Sequence, residues 1–124
     1  MKRVIFQRTG KPSEVLEIEN FILPPLGAGE VMVRLLAAPI NPADLNTIEG
    51  TYGVKPPLPA TPGIEGCGVV DASNDENFSC GDRVIFLGRA STWASHTVVA
   101  GTTLLRAGGA VLVSLSLTTG GSNS

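Results

Sequence analysis

Tyr52 is the residue of this sequence whose chemistry most needs an explanation. It is the only tyrosine among 124 residues, and it lies between Gly50 and a proline-rich run at residues 55–63. A phenol with an ordinary pKa of about 10 can donate a hydrogen bond to an oxygen that gains negative charge, without first losing its proton. A single tyrosine in such a loop is, however, more often a packing residue with a solvated hydroxyl. The residue pattern leaves both interpretations open.

Metal binding and cysteine chemistry lack the residues that they need. The chain has one histidine, His96, and two separated cysteines, Cys67 and Cys80. A zinc site takes about three or four Cys, His or carboxylate ligands at short spacings. A reactive thiolate needs neighbouring positive charge or the start of a helix. We therefore predict no metal site, and two free or buried thiols rather than a disulfide.

The glycine-rich run PGIEGCGVV, residues 62–70, is the candidate for binding phosphate. Its glycines follow the spacing G-x-x-G-x-G and lead into a predicted strand. The dinucleotide-binding fingerprint has the reverse spacing and opens a helix. The run therefore predicts a tight turn into a strand, at a place where two backbone segments approach each other closely.

The elements that must position these residues are mostly strands. Fifteen glycines and nine prolines divide the sequence into short apolar runs, a pattern typical of β structure. In one of these runs Val31, Val33 and Leu35 share a face. The predicted strands are residues 2–7, 15–21, 30–38, 66–71, 83–87, 92–99 and 103–106. This organisation favours a closed or nearly closed β-barrel over a layered α/β domain.

One helix, at residues 42–49, is predicted from sequence signals at both of its ends. Asn41 can accept from the first unpaired amides, and Pro42 suits the first helical position. Asp44 complements the positive end of the helix dipole, and Gly50 ends the helix. Tyr52 therefore follows a helix whose two ends are both specified locally.

The last 18 residues, 107–124, contain no charged side chain. Val111, Val113, Leu115 and Leu117 alternate with mostly polar residues, which predicts a further half-buried strand at residues 110–117. The Gly, Ser and Asn residues after it predict a disordered end.

Composition excludes several classes of partner. The formal net charge is −2, and no cluster of Lys or Arg with interleaved aromatic residues offers a track for phosphates, so we expect no nucleic acid. No apolar run has the length of a membrane span or of a signal segment, so we expect a cytoplasmic protein that does not bind membranes.

Four stretches in order carry a resemblance to a known family: AAPINPADLNTIEGTYG, LPATPGIEGCGVV, CGDRVIFLG and TWASHTVV. Together they resemble the N-terminal catalytic domain of the medium-chain dehydrogenase/reductase superfamily. The resemblance implies a GroES-like, partly open β-barrel with one or two short helices over residues 1–106. Asn41 and Ile64 stand where the zinc-dependent members have Cys and His, so the chain is similar to the zinc-free members. Among these it most resembles mitochondrial-type 2-enoyl thioester reductases, and after them quinone oxidoreductases.

The resemblance also implies roles for individual residues. The tyrosine that matches Tyr52 binds the thioester oxygen and assists protonation of the α-carbon. Asn41, Asn46 and Trp93 are expected at the substrate pocket, which takes a small acyl thioester or a quinone. The family uses NADPH, held by a Rossmann domain that does not follow Arg106 in this sequence, so we expect no cofactor on this chain alone.

Two functions follow from these expectations. The chain is a truncated catalytic half of an enoyl thioester reductase, inactive alone, or it is a stand-alone GroES-like binding or oligomerisation module without redox activity. In the second case a homo-oligomer is expected to form through the exposed apolar face or through the strand at residues 110–117.

Overall fold

The computed structural model describes residues 1–51, 53 and 55–107, and the fold is mainly β as predicted. Tyr52 and the predicted strand at residues 110–117 lie outside the described residues. The strands are β1 (Lys2–Phe6), β2 (Leu16–Asn20), β3 (Glu30–Ala37), β4 (Cys67–Ser73), β5 (Arg83–Phe86), β6 (His96–Ala100) and β7 (Leu104–Arg106). The helices are α1 (Pro12–Val15), α2 (Pro42–Glu49) and a 3-10 turn at Gly101–Thr103. Among the described helices, none is long and apolar enough to cross a membrane.

The strands form two antiparallel sheets. The larger sheet has five strands in the order β6-β3-β4-β5-β7, and β1 pairs with β2 in the smaller one. Single bridges from Arg3 to Ala94 and from Phe6 to Ala60 join β1 to the segments on either side of it. The sheets therefore curve around a common interior and leave one side open, as in a partly open barrel.

Two groups of buried apolar side chains fill the interior. Val31 and Val33 of β3 are fully buried, and Leu35 packs against the same cluster, which confirms the predicted shared face. Phe6 and Ile48 centre the second cluster, between β1 and α2. Burial of each such side chain contributes roughly 1.5–3 kcal/mol, and Ile48 is the buried apolar side chain by which α2 joins this cluster.

Helix α2 has the bounds that the sequence predicts. The Asn41 side chain accepts from the Ala43 amide at 3.0 Å. In return, the Asp44 carboxylate accepts from the Asn41 amide at 3.0 Å, which completes a capping box. Gly50 ends the helix with φ of 83°, in the left-handed region that favours glycine.

Most predicted strands differ from the structure by one or more residues at an end, and two of these differences are informative. Val15 was expected to begin a strand, but it is the last residue of α1, because Pro12 at the first helical position starts a short turn there. The strand predicted over residues 92–99 begins only at His96. The preceding segment is irregular, with bends at Trp93 and Ser95 and a single bridge at Ala94. Within it the Thr92 hydroxyl donates to the Glu65 carbonyl at 2.7 Å.

The close backbone approach predicted for the glycine-rich run is confirmed at Gly63. Its carbonyl accepts from the Ser91 amide at 3.0 Å, and the neighbouring Pro62 carbonyl accepts from the Trp93 amide at 3.1 Å. Gly63 has φ of +120°, and a Cβ placed on it would lie 2.8 Å from the Trp93 nitrogen and closer still to Thr92. Only glycine fits this position.

Gly63→Ala is therefore expected to lower the free energy of unfolding by about 3 kcal/mol or more, because it adds both backbone strain and overlap with Thr92. Gly81→Ala is the matched control. Gly81 also has positive φ, at 94°, but no atom lies within 4 Å of the added carbon, so only the strain of about 1 kcal/mol is expected. Urea unfolding of both variants gives the comparison, and equal losses would contradict the close-approach explanation.

Candidate functional site

A cleft of about 500 Å³ opens on the side of the barrel between the proline-rich loop, β1 and the segment that leads into β6. Its apolar lining includes Pro56, Pro57, Pro59, Pro62, Phe21, Pro24 and Pro25, and its polar lining includes Arg3, Glu19, Thr47, Arg89, Ser91 and His96. A concave surface that combines apolar side chains with several polar ones is compatible with a small-molecule site.

One ion pair lies in the wall of the cleft. Arg3 Nε donates to Glu19 Oε2 at 2.8 Å, across the paired strands β1 and β2. The Arg3 guanidinium also lies 4.5 Å from the centre of the Phe21 ring, a cation–π arrangement. Because both charged side chains are more than a third exposed, the ion pair contributes little to stability. Its main effect is to fix the direction of Arg3.

His96 lines the cleft, and both of its ring nitrogens lie near polar side chains of neighbouring residues. Ser95 Oγ accepts from the Lys2 amide at 3.0 Å and lies 2.9 Å from His96 Nδ1. His96 Nε2 is 3.7 Å from Asp71 Oδ2. Within the described ranges, no three His, Cys, Asp or Glu side chains converge as metal ligands, and both cysteines are free thiols.

Asn41, expected at the substrate pocket, has both ends of its side chain engaged. Its oxygen caps α2, and its Nδ2 donates to Glu65 Oε1 at 2.9 Å. The amide thus ties the start of α2 to the loop that contains Gly63. Asn41 does not line the cleft.

Asn46 and Trp93 also lie outside the cleft lining. Asn46 is exposed, and its carbonyl accepts from the Thr51 amide at 3.0 Å, just before Tyr52. Trp93 packs against Phe6 and Ile48, and its indole Nε1 is buried without a partner among the described residues. The pocket roles of Asn41, Asn46 and Trp93, and the catalytic role of Tyr52, stay predictions. The described residues nearest in sequence to Tyr52 that line the cleft are Thr47 and Pro56.

Sequence reasoning missed most of the polar residues that do line the cleft. Thr47 is on α2, whereas Arg89 and Ser91 belong to the loop between β5 and β6, and only the fold brings these two segments together. Arg89 directly precedes Ala90, whose carbonyl accepts from Thr97 Oγ1 at 2.7 Å. No local pattern marks these residues, because the cleft forms only where segments distant in sequence meet.

Asp44 is the buried carboxylate of this region, with 1% of its surface exposed. One oxygen accepts from the Asn41 amide, and the other, Oδ1, has no hydrogen-bond partner among the described residues. Burial raises the pKa of Asp44 above its ordinary value, and the charge of Glu65 adds to this effect. Hydrogen bonding by the backbone at Asn41 and Gly63 and the positive charge of Arg89 oppose the increase in the pKa.

The described residues do not fit the phosphates of NADPH. Gly66 and Gly68 are packed tightly, and a Cβ on Gly66 would lie 2.9 Å from the Ala37 carbonyl oxygen. Because these two glycines have no side chain, their backbone can pack directly against β3 and Thr92. The run then continues into β4 and does not open a helix. A dinucleotide site needs free amides at the start of a helix.

The curved sheets define a GroES-like domain with a lateral cleft on its open side. The family model of the alcohol dehydrogenase GroES-like domain matches residues 27–119. The chain belongs to this family.

Several of the relatives are enoyl thioester reductases. The mitochondrial enoyl-[acyl-carrier-protein] reductase of Arabidopsis thaliana is 45% identical over 102 residues, which are 78% of this chain and 27% of the relative. Etr1p, a mitochondrial 2-enoyl thioester reductase of Candida tropicalis, has been solved with NADP and crotonyl-CoA. That structure is 28% identical with a TM-score of 0.76, over 86% of this chain and 33% of Etr1p.

A quinone oxidoreductase of Pseudomonas syringae is also similar, with 35% identity and a TM-score of 0.77 over 87% of this chain and 34% of that protein. The chain therefore spans about a quarter to a third of the length of these relatives.

The raised pKa of Asp44 predicts a pH-dependent stability. Between the unfolded and the higher folded pKa, the folded state holds a proton that the unfolded state has released. This carboxyl therefore makes the free energy of unfolding rise as the pH falls through the folded pKa. Asp44→Asn keeps an oxygen for the Asn41 amide but cannot titrate. We expect the stability of the wild type relative to Asp44→Asn to increase from pH 7 to pH ~4 in urea unfolding. A difference that stays constant with pH would contradict the assignment.

Proposed function

We propose that this chain is the substrate-side domain of an enoyl thioester reductase and that its cleft takes the acyl thioester. The observation that carries the proposal is the cleft itself. It lies beside the helix and the proline-rich loop that flank Tyr52 on either side, in a chain whose relatives are enoyl reductases. The apolar proline and Phe21 side chains suit an acyl group, which has no polar atoms to satisfy.

In this proposal Tyr52 hydrogen-bonds the thioester carbonyl oxygen. Negative charge builds on that oxygen when the β-carbon of an enoyl thioester is reduced, and a phenol donor stabilises it in place. The α-carbon then takes a proton, and Tyr52 assists this transfer. Helix α2 sets the position of the loop, because its capping box and Gly50 fix where the chain leaves the barrel.

NADPH supplies the two electrons in reductases of this class. Since the described residues offer no cradle for its phosphates, reduction requires a nucleotide-binding domain, on the same polypeptide or on another one. Without such a domain we expect the chain to bind the substrate and not to reduce it.

A second proposal is that the domain associates with another surface near the cleft. Ile40, Leu45 and Leu58 are exposed, and they lie just before α2, on α2 and in the proline-rich loop. Exposed apolar side chains of this kind favour association, either with a nucleotide domain or with a second copy. A monomer in sizing chromatography would contradict self-association. A quinone substrate, the cytoplasmic location and the domain boundary at residue 106 stay predictions.

The role of Tyr52 is tested in a fusion of this chain to the nucleotide-binding domain of an enoyl-[acyl-carrier-protein] reductase. We expect NADPH-dependent reduction of crotonyl-CoA, and a loss of kcat of about 100-fold or more in Tyr52→Phe, because one oxyanion donor is removed. Thr51→Val removes the neighbouring hydroxyl, whose oxygen is 3.4 Å from the Asn46 carbonyl, and should leave kcat unchanged. Full activity of Tyr52→Phe would contradict the catalytic role, and an inactive but folded fusion would contradict the proposed function.

A further inference from the structure

Strand β7 lies at the edge of the larger sheet in the part of the chain that the structure describes, with β5 on one side of it. Leu105 lies opposite Ile85, and the Ala107 amide donates to the Arg83 carbonyl at 2.8 Å. The backbone groups of successive residues alternate in direction along a strand, so the amide and the carbonyl of Arg106 face away from β5. The outer side of β7 therefore offers hydrogen bonds to a further strand.

The two faces of this edge differ in burial. Leu104 packs with Val84 and Phe86 in the larger buried cluster and is 6% exposed. Leu105, on the opposite face, is 50% exposed. A strand beside β7 would therefore match the sheet if its apolar side chains lay on the face of Leu104 and its polar ones on the face of Leu105.

The sequence that follows β7 has the properties of such a strand. Gly108 and Gly109 come directly after Ala107, and adjacent glycines favour the turn of a β-hairpin. Residues 110–117, AVLVSLSL, carry no charge, and they have an apolar side chain at every odd-numbered position from 111. Proteins often protect a strand edge from pairing by charged side chains, and this segment has none.

We propose that residues 110–117 fold back antiparallel to β7 and add a strand to the larger sheet. The turn spans residues 107–110, because the Ala107 amide already donates to Arg83 and cannot close a two-residue turn. The inference goes beyond the proposed function, since it concerns how the sheet edge is covered and not what the cleft binds. Its consequence is that the chain itself occupies an edge to which a second copy could otherwise add a strand.

This turn also fixes the register of the proposed strand. Val111 lies opposite Arg106 and Val113 opposite Leu104, because residue numbers of antiparallel partners keep a constant sum. Cross-strand partners lie on the same face of a sheet. The odd-numbered apolar side chains therefore join the buried face of Leu104, and Ser114 lies on the exposed face.

The test is amide hydrogen exchange of the full chain, followed by NMR at two protein concentrations. The Arg106 amide is the reporter, because it faces the proposed strand. The Leu105 amide is the control in the same strand, because it faces β5. We expect both amides to exchange at least about 100-fold more slowly than in an unstructured peptide. In a chain that ends at Gly109, Arg106 should lose this protection while Leu105 keeps it.

Two results of this comparison would overturn the proposal. One is fast exchange of Arg106 in the full chain, and the other is equal protection of Arg106 with and without residues 110–124. Protection that increases with concentration, together with a dimer in sizing chromatography, would assign the edge to a second copy and would also overturn the proposal.

A pair of full-length variants tests the register without shortening the chain. Val113→Lys places a charge on the buried face beside Leu104, so Arg106 should lose its protection. Ser114→Lys places the same charge on the exposed face and should leave the protection unchanged. Equal effects of the two substitutions would contradict the proposed pairing.

Discussion

The structure depends on the backbone hydrogen bonds that join residues 62–65 to residues 90–93. The Pro62 and Gly63 carbonyls accept from Trp93 and Ser91, and the Thr92 hydroxyl donates to the Glu65 carbonyl. Each of these bonds contributes about 1 kcal/mol, but together they fix two chain segments that are far apart in sequence. The proline-rich loop leads into one segment, and Arg89 directly precedes the other. The cleft has its shape because these two segments cannot move apart.

Helix α2 connects these hydrogen-bonded segments to the loop that contains Tyr52. Asn41 caps the helix and also donates to Glu65, so the start of α2 is joined to residues 62–65. Ile48 anchors the other end in the apolar cluster with Phe6. Gly50 then turns the chain out of the helix two residues before Tyr52. The polar network and the apolar cluster therefore act together to set where the loop of Tyr52 begins.

Local signals made much of this fold predictable. The bounds of α2 follow from Asn41, Pro42, Asp44 and Gly50, because caps depend on residues within one turn of the helix end. The strand face of Val31 and Val33 follows from simple alternation. Trp93 and its neighbours were expected in a strand, but they form an irregular segment that hydrogen-bonds to residues 62–65, and local alternation does not reveal such contacts. The cleft lining was not predictable, because Arg3 and Ala94 meet only through long-range strand pairing.

The central claim is that the cleft beside α2 and the proline-rich loop receives the acyl thioester. The most direct measurement is a titration of the isotopically labelled chain with crotonyl-CoA, followed by amide chemical shifts. The account predicts the largest shifts at Thr47, Ala60, Ser91 and other cleft residues, with the amides of β5 and β7 unchanged. Shifts centred on β5 and β7, or no shifts at millimolar ligand, would contradict it.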